Sequence, residues 1–144
     1  AMSVLSDPAN GATVFGPTSF DPAHEPENVI LRGQEKFWIT TGLFPQELII
    51  KLTTRSDVER VKIVCTNVKK VKIQLSNDRS SPNSWEDFGE LDLSHTDGRL
   101  QMESCSGHSQ ATFVKVQICE GWDDFCTVHR IEVVGDQDGN ESKN

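Results

Sequence analysis

The chain has 144 residues, a net charge of −8 and a pI near 4.9, with 35 % hydrophobic and 25 % charged residues. That is the balance of one globular domain, since a chain of about 150 residues buries roughly 68–70 % of its unfolded surface; it argues against a nucleic-acid partner, because affinity for phosphate backbones rests on Lys and Arg. No apolar run approaches the roughly 20 residues of a membrane helix and nothing resembles a signal peptide, so an intracellular chain with no membrane insertion is expected.

Residues 3–26 are rich in Gly, Pro, Ser, Asp and Asn, which predicts a loop-dominated lead-in with one short strand over 12–15. A single helical turn is expected over 25–30, where Pro26 starts a short turn. From Phe37 the pattern becomes a succession of alternating runs, predicting strands over 46–53, 58–66, 68–76, 111–120 and 127–134. Val61/Ile63/Cys65, Val71/Ile73/Leu75, Val114/Val116/Ile118 and His129/Ile131/Val133 each mark one face. Lys62, Lys72, Lys115, Gln117, Arg130 and Glu132 mark the other, as in antiparallel sheets buried on one side. The apolar-free segment 77–83 reads as a surface loop before Ser84-Trp85-Glu86-Asp87-Phe88, and His95-Thr96-Asp97-Gly98 as a turn. Residues 135–144 carry no apolar side chain, which predicts a β domain over 1–134 and an acidic disordered tail over 135–144.

The basic run Lys69-Lys70-Val71-Lys72 is the one local exception to the acidic balance, and it reads as the solvated face of a strand. Cys65, Cys105, Cys119 and Cys126 show no C-x-x-C spacing. Cys65 and Cys119 are read on inward phases as reduced core thiols rather than as parts of a disulfide framework. His24, His95, His108 and His129 lie far apart in sequence, and nucleophile-elbow, zinc-protease, Walker and dinucleotide motifs are absent, so no catalytic residue and no enzyme activity are expected.

Glu27-Asn28-Val29-Ile30, followed by Phe37-Trp38-Ile39-Thr40-Thr41-Gly42-Leu43-Phe44-Pro45, then Asp92 to Gln101, then Phe125-Cys126-Thr127-Val128-His129, form three ordered blocks spanning nearly the whole chain. In this order they resemble the discoidin-like, or galactose-binding-like, β-sandwiches, and in detail the small discoidin-like subunits of the intraflagellar transport B complex. The resemblance implies an all-β, discoidin-like jelly-roll β-sandwich of about eight or nine antiparallel strands. It also implies a non-enzymatic adaptor of the cilium or flagellum and cytoplasm, paired with a Rab-like small GTPase and with other transport B subunits. The alternative is a glycan-binding module of the same fold.

Discoidin-like folds often hold one calcium ion, and the family's side-chain ligand positions fall on Leu31, Lys36 and Val134. Two of these offer no oxygen and the third adds positive charge, so no metal is expected there. Phe20, Phe44, Trp85, Trp122 and Phe125 are the aromatics outside the clearest strands. Among them Trp122, Asp123, Asp124 and Phe125, with Phe44 second, form the candidate partner-binding set: aromatic area rimmed by acids.

Overall fold

Two strands of 21 residues each, β4 (Gln46–Thr66) and β7 (Gln101–Gly121), set the architecture. The computed structural model describes residues 3–15, 26–30, 37–39, 44–78, 82, 84–123 and 126–137. Around the two long strands lie β1 (Ser3–Val4), β2 (Thr13–Phe15), β3 (Trp38–Ile39), β5 (Val68–Ser76), β6 (Glu86–Asp92) and β8 (Thr127–Gln137), with 3-10 turns at Pro8–Asn10 and Pro26–Ile30. All pairings among the described strands are antiparallel.

β4 pairs with β7 on both sides of a register break between Lys51 and Ser56. Before the break β4 also pairs with β2, and after it with β8. β7 divides in the same way, since its second half is shared with β5. The bend folds the path β1-β8-β4-β7-β5-β6 into the two layers of a jelly-roll β-sandwich, the expected fold. Between the layers lie Leu48, Ile50, Ile63, Val116, Ile118 and Ile131, all fully buried. Each such side chain contributes about 1.5–3 kcal/mol when removed from water. Trp38 is also fully buried, so the Phe-Trp pair that leads the sequence pattern is core at its tryptophan.

The alternating runs at 46–53 and 58–66 are one continuous strand, because the extended backbone carries on through the register break at exposed Thr53, Thr54 and Arg55. β7 begins ten residues before the expected 111, at Gln101. Residues 102–110 are mostly exposed and polar because among the described strands this half of β7 has β4 as its only ladder neighbour, so no alternation announced it. β8 continues to Gln137, with Gly135 opposite Ser3 and Val58. The boundary expected after Val134 therefore falls inside a strand. Pairing with β4, and for Gly135 also with β1, holds these residues without apolar side chains, and residues 138–144 lie outside the described residues.

Two inward assignments also change. Cys119 follows buried Ile118 and sits on the outward phase, half-exposed beside Gln117. In β8, Val128 and Ile131 are both buried because the ladder shifts register between Val64/Cys65 of β4, which leaves His129 off the inward phase and half-buried. His129 packs edge-on against Phe37, with ring centroids 4.9 Å apart, and its Nε2 lies 3.0 Å from Thr127 Oγ1.

One buried polar residue ties three segments together. Gln101 Oε1 accepts from Val68 N at 2.9 Å and from the Cys65 thiol at 3.6 Å; its Nε2 donates to Val68 O at 2.8 Å and Ser94 O at 2.7 Å. A single residue, Asn67, links β4 to β5 with φ of 59°, a left-handed conformation that Asn tolerates better than most residues. The carboxamide satisfies the backbone left by that tight link. Gln101→Leu should therefore cost about 2–4 kcal/mol in urea denaturation, through two stranded backbone groups at Val68; a loss within a few tenths would show that water replaces the amide.

The Cys65 thiol is pushed well above its ordinary value of 9.0, first by burial and then by the neighbouring Cys126. An acid whose folded pKa is raised holds its proton longer in the fold, so the stabilisation is complete below pH 9 and is lost as pH rises beyond it. The slope is about 1.4 kcal/mol per pH unit. Under reductant, wild type should lose stability relative to Cys65→Ala between pH 9 and 10.5 at roughly that rate. Parallel pH profiles of the two proteins would refute the assignment.

Candidate interaction site

The end of the sandwich that carries the Asn67 link is built by three turns. The first follows Phe44-Pro45, a cis peptide bond at the entrance to β4. The second is the β6–β7 connection, where Asp97 and Gly98 have φ of 53° and 84°, the pair of left-handed residues that a type I′ turn requires. Thr96 Oγ1 donates to Arg99 O at 2.7 Å, and Arg99 N and Nε donate to Thr96 O, both at 3.2 Å, which closes that turn. The third turn leaves β7 at Gly121-Trp122-Asp123.

These turns meet at Trp122. Its backbone N donates to Asn67 O at 2.8 Å and its indole Nε1 to Leu93 O at 3.0 Å. Lys69 Nζ sits 4.9 Å from the ring centroid, and the His95 ring lies 5.2 Å away, tilted by 45°. Held on its polar edge, the ring is still 41 % exposed. Half-buried Phe44 packs against the preceding Gly121: a Cβ there would stand 2.5 Å from Phe44 Cζ and 3.0 Å from Asn67 O. Only a glycine lets the ring lie against this backbone.

The structure thus brings together Phe44 and Trp122, with exposed Asp123 beside them. Asp124 and Phe125 of the candidate set lie outside the described residues, as do Phe20, Leu31 and Lys36. Val134 is buried in β8 opposite Val4 and Arg60, and its side chain offers no oxygen. Trp85 is elsewhere, on the outer sheet face, with Lys115 Nζ 4.3 Å from its centroid. The basic run is matched by acids: Lys69 with Glu120, Lys70 with Glu90 and Lys72 with Asp87, at 3.5–3.8 Å. Asp87 is held below the usual carboxylate range by the Gln74 amide and then by Lys72.

Sequence reasoning missed Leu100 and Met102. They are 47 % and 61 % exposed, because Gln101 between them points inward. With Leu93, Ser94, Thr96 and Glu103 they line a shallow groove of about 180 Å³ beside Trp122. An apolar–polar–apolar triplet gives no phase by itself; knowing that Gln101 is buried fixes both neighbours as outward. The result is an aromatic and aliphatic surface with a mixed-charge rim, suited to burying apolar area against a partner.

No family model matches the chain. It is 38 % identical over 128 residues to the human intraflagellar transport protein 25 homolog, covering 88 % of each chain, and 36 % identical over 132 residues to the mouse protein, covering 91 % of this chain and 92 % of that one. The chain belongs to the intraflagellar transport protein 25 family. The Chlamydomonas reinhardtii member is 33 % identical over 126 residues. Among solved structures the chain is similar to two carbohydrate-binding modules. One is the family 32 module of C. perfringens NanJ in complex with galactose, with TM-score 0.76, 15 % identity and coverage of 93 % of this chain and 99 % of that one. The other is a Paenibacillus chitosan-binding module, with TM-score 0.77, 20 % identity and coverage of 94 % and 100 %. At these identities the likeness shows the discoidin-like fold alone.

The packing of Phe44 on Gly121 is testable. Gly121→Ala should destabilise the domain by about 1–3 kcal/mol, and should displace Phe44, whereas Gly121→Ala combined with Phe44→Leu should recover part of that loss; additive losses in the double mutant would show that the ring does not rest there.

Proposed function

We propose that this chain is a non-enzymatic adaptor subunit of the intraflagellar transport B complex, acting in the cilium or flagellum and the cytoplasm. In this reading it pairs with a Rab-like small GTPase and with other transport B subunits. The single observation that carries the reading is the 38 % identity to the human intraflagellar transport protein 25 homolog across 88 % of both chains. The exposed apolar side chains support a partner surface at one end of the sandwich. Trp122, Leu100 and Met102 are the large hydrophobic residues left exposed among the described ones, and all three belong to the end built on Asn67 and the β6–β7 turn. Asp123 continues the same rim, and Asp124 and Phe125 come directly after it in sequence.

The rival reading is a glycan-binding module, drawn from the structural neighbours. Sugar recognition needs polar groups aimed at the aromatic's open face. Here the indole N–H is already given to Leu93 O, and Lys69 is shared between the ring and Glu120. A macromolecular surface fits these observations better than a sugar pocket.

The test is a binding measurement with a purified Rab-like GTPase of the transport complex, in parallel with galactose. A one-to-one protein complex is expected, with Trp122→Ala and Met102→Asp each weakening it by about 2 kcal/mol or more and Lys70→Glu by a few tenths. Both anchors are exposed, so melting curves close to wild type should accompany the loss. Tight binding retained by well-folded variants would move the interface to another face of the sandwich. Galactose binding without GTPase binding would replace the adaptor reading.

A further inference from the structure

The second half of β4, just past its register break and far from Asn67, carries a cluster that the adaptor reading does not use. His108 Nδ1 of β7 lies 3.5 Å from Asp57 Oδ2 and its Nε2 lies 3.9 Å from Glu59 Oε1. One donor atom from each of Asp57, Glu59 and His108 stands within 4.8 Å of the others. Strand alternation puts residues 57 and 59 on one face, opposite fully buried Val58. The ladders then aim them. Between the pairs Val58/Ser109 and Arg60/Ser106, β4 has one residue, Glu59, and β7 has two, Gly107 and His108. Against β8, between Val58/Gly135 and Arg60/Val134, Glu59 is the extra residue. Irregularities in both ladders at one residue are the device by which sheets redirect side chains toward a site.

Charge and space point the same way. Asp136 stands directly opposite Asp57 across the β4–β8 ladder, so a third carboxylate shares that face. Arg60, at the rim, is the nearby permanent cation. Beside the cluster, Glu59, Arg60, Ser106, Gly107 and His108 line an open groove of about 530 Å³. That is room for water to complete a coordination shell.

We propose that Asp57, Glu59 and His108 form a binding site for a divalent transition cation of the zinc type. An imidazole nitrogen selects a borderline ion over calcium or magnesium, and two carboxylates supply the neutralising charge. Three protein donors leave one position open to water on the groove side. Tetrahedral donors with bonds of about 2.0–2.2 Å stand roughly 3.3 Å apart. The cluster reaches this by a modest turn of His108, whose side chain is 73 % exposed. One ring nitrogen binds the ion, and the other remains for a water or carboxylate that fixes the tautomer.

The experiment titrates Zn²⁺ alone into the tag-free full chain under a non-chelating reductant, with Co²⁺ as the spectroscopic probe. Expected are one ion per chain, a micromolar Kd, and visible Co²⁺ bands without the near-ultraviolet charge transfer of a thiolate. His108→Ala and Glu59→Gln should each raise Kd by at least about 10-fold, while His95→Ala leaves it unchanged. Three results would overturn the site: a thiolate band, affinity indifferent to both variants, or no binding by about 1 mM Zn²⁺. The last would leave His108 as an ion-pair partner of the two acids.

Discussion

The carboxamide of Gln101 is the contact on which the site end of this sandwich depends. The chain must reverse at the single residue Asn67 between β4 and β5, and the N and O of fully buried Val68, which pairs with Gly121 of β7, turn to a side chain rather than to a second strand. An unpaired buried backbone group costs about 1–3 kcal/mol, so something polar has to enter the core. Gln101 does so from the first position of β7 and also holds Ser94 O of the β6–β7 connection. Its inward rotamer dictates the rest. Leu100 and Met102 must face out, and the Asn67 and Leu93 carbonyls are fixed where the Trp122 backbone and indole can reach them. An apolar surface thus arises as the geometric complement of a polar group in the core.

That coupling explains how a surface can be both exposed and rigid. Trp122 is pinned through two hydrogen bonds and flanked by Lys69 and His95, so little rotamer freedom remains to be lost on association. The outer sheet face is arranged differently. There Lys70–Glu90 and Lys72–Asp87 bridge neighbouring strands with half- to fully exposed groups. Exposed pairs of this kind contribute about 0–1 kcal/mol each and discourage association more than they hold the fold. Among the described residues the exposed large apolar side chains gather at one end, and the sheet face is laced with charge pairs.

Most of the fold was legible in the sequence, because buried-face alternation survives in every strand with a neighbour on each side. Val71, Ile73 and Leu75, or Val114, Val116 and Ile118, declare themselves by period two alone. The first half of β7 does not, since with one described ladder neighbour it has little apolar surface to hide. Bulges were the other blind spot. The shift at His129 and the irregularity at Glu59 change the phase of the strand residues beyond them; the first has no glycine to mark it, and Gly107 opposite Glu59 sits in a polar run without alternation. Of the site, Phe44 and Trp122 were found as aromatics outside strands, whereas Leu100 and Met102 were hidden behind the phase of Gln101. The cluster of Asp57, Glu59 and His108 spans about 50 residues of sequence, and only the β4–β7 register brings it together.

The same register separates the two surfaces. Asp57 lies near the start of the second half of β4 and Thr66 at its end, so at about 3.3 Å per residue the carboxylate–imidazole cluster stands some 30 Å from the Asn67 end along the strand. Over that distance, through water-facing side chains, direct electrostatic influence is screened to a small fraction, since the Debye length is about 8 Å at physiological salt. Any influence of one surface on the other has to travel through the rigid ladder of β4 between β7 and β8, whose inner residues Val61, Ile63 and Cys65 are fully buried and closely packed. A packed strand of this kind has one arrangement, not two, and coupling between distant sites needs an element with two. The two ends therefore act as independent modules on one scaffold. A cation at the bulge would stabilise the sandwich as a whole while leaving the shape of the Trp122 end unchanged.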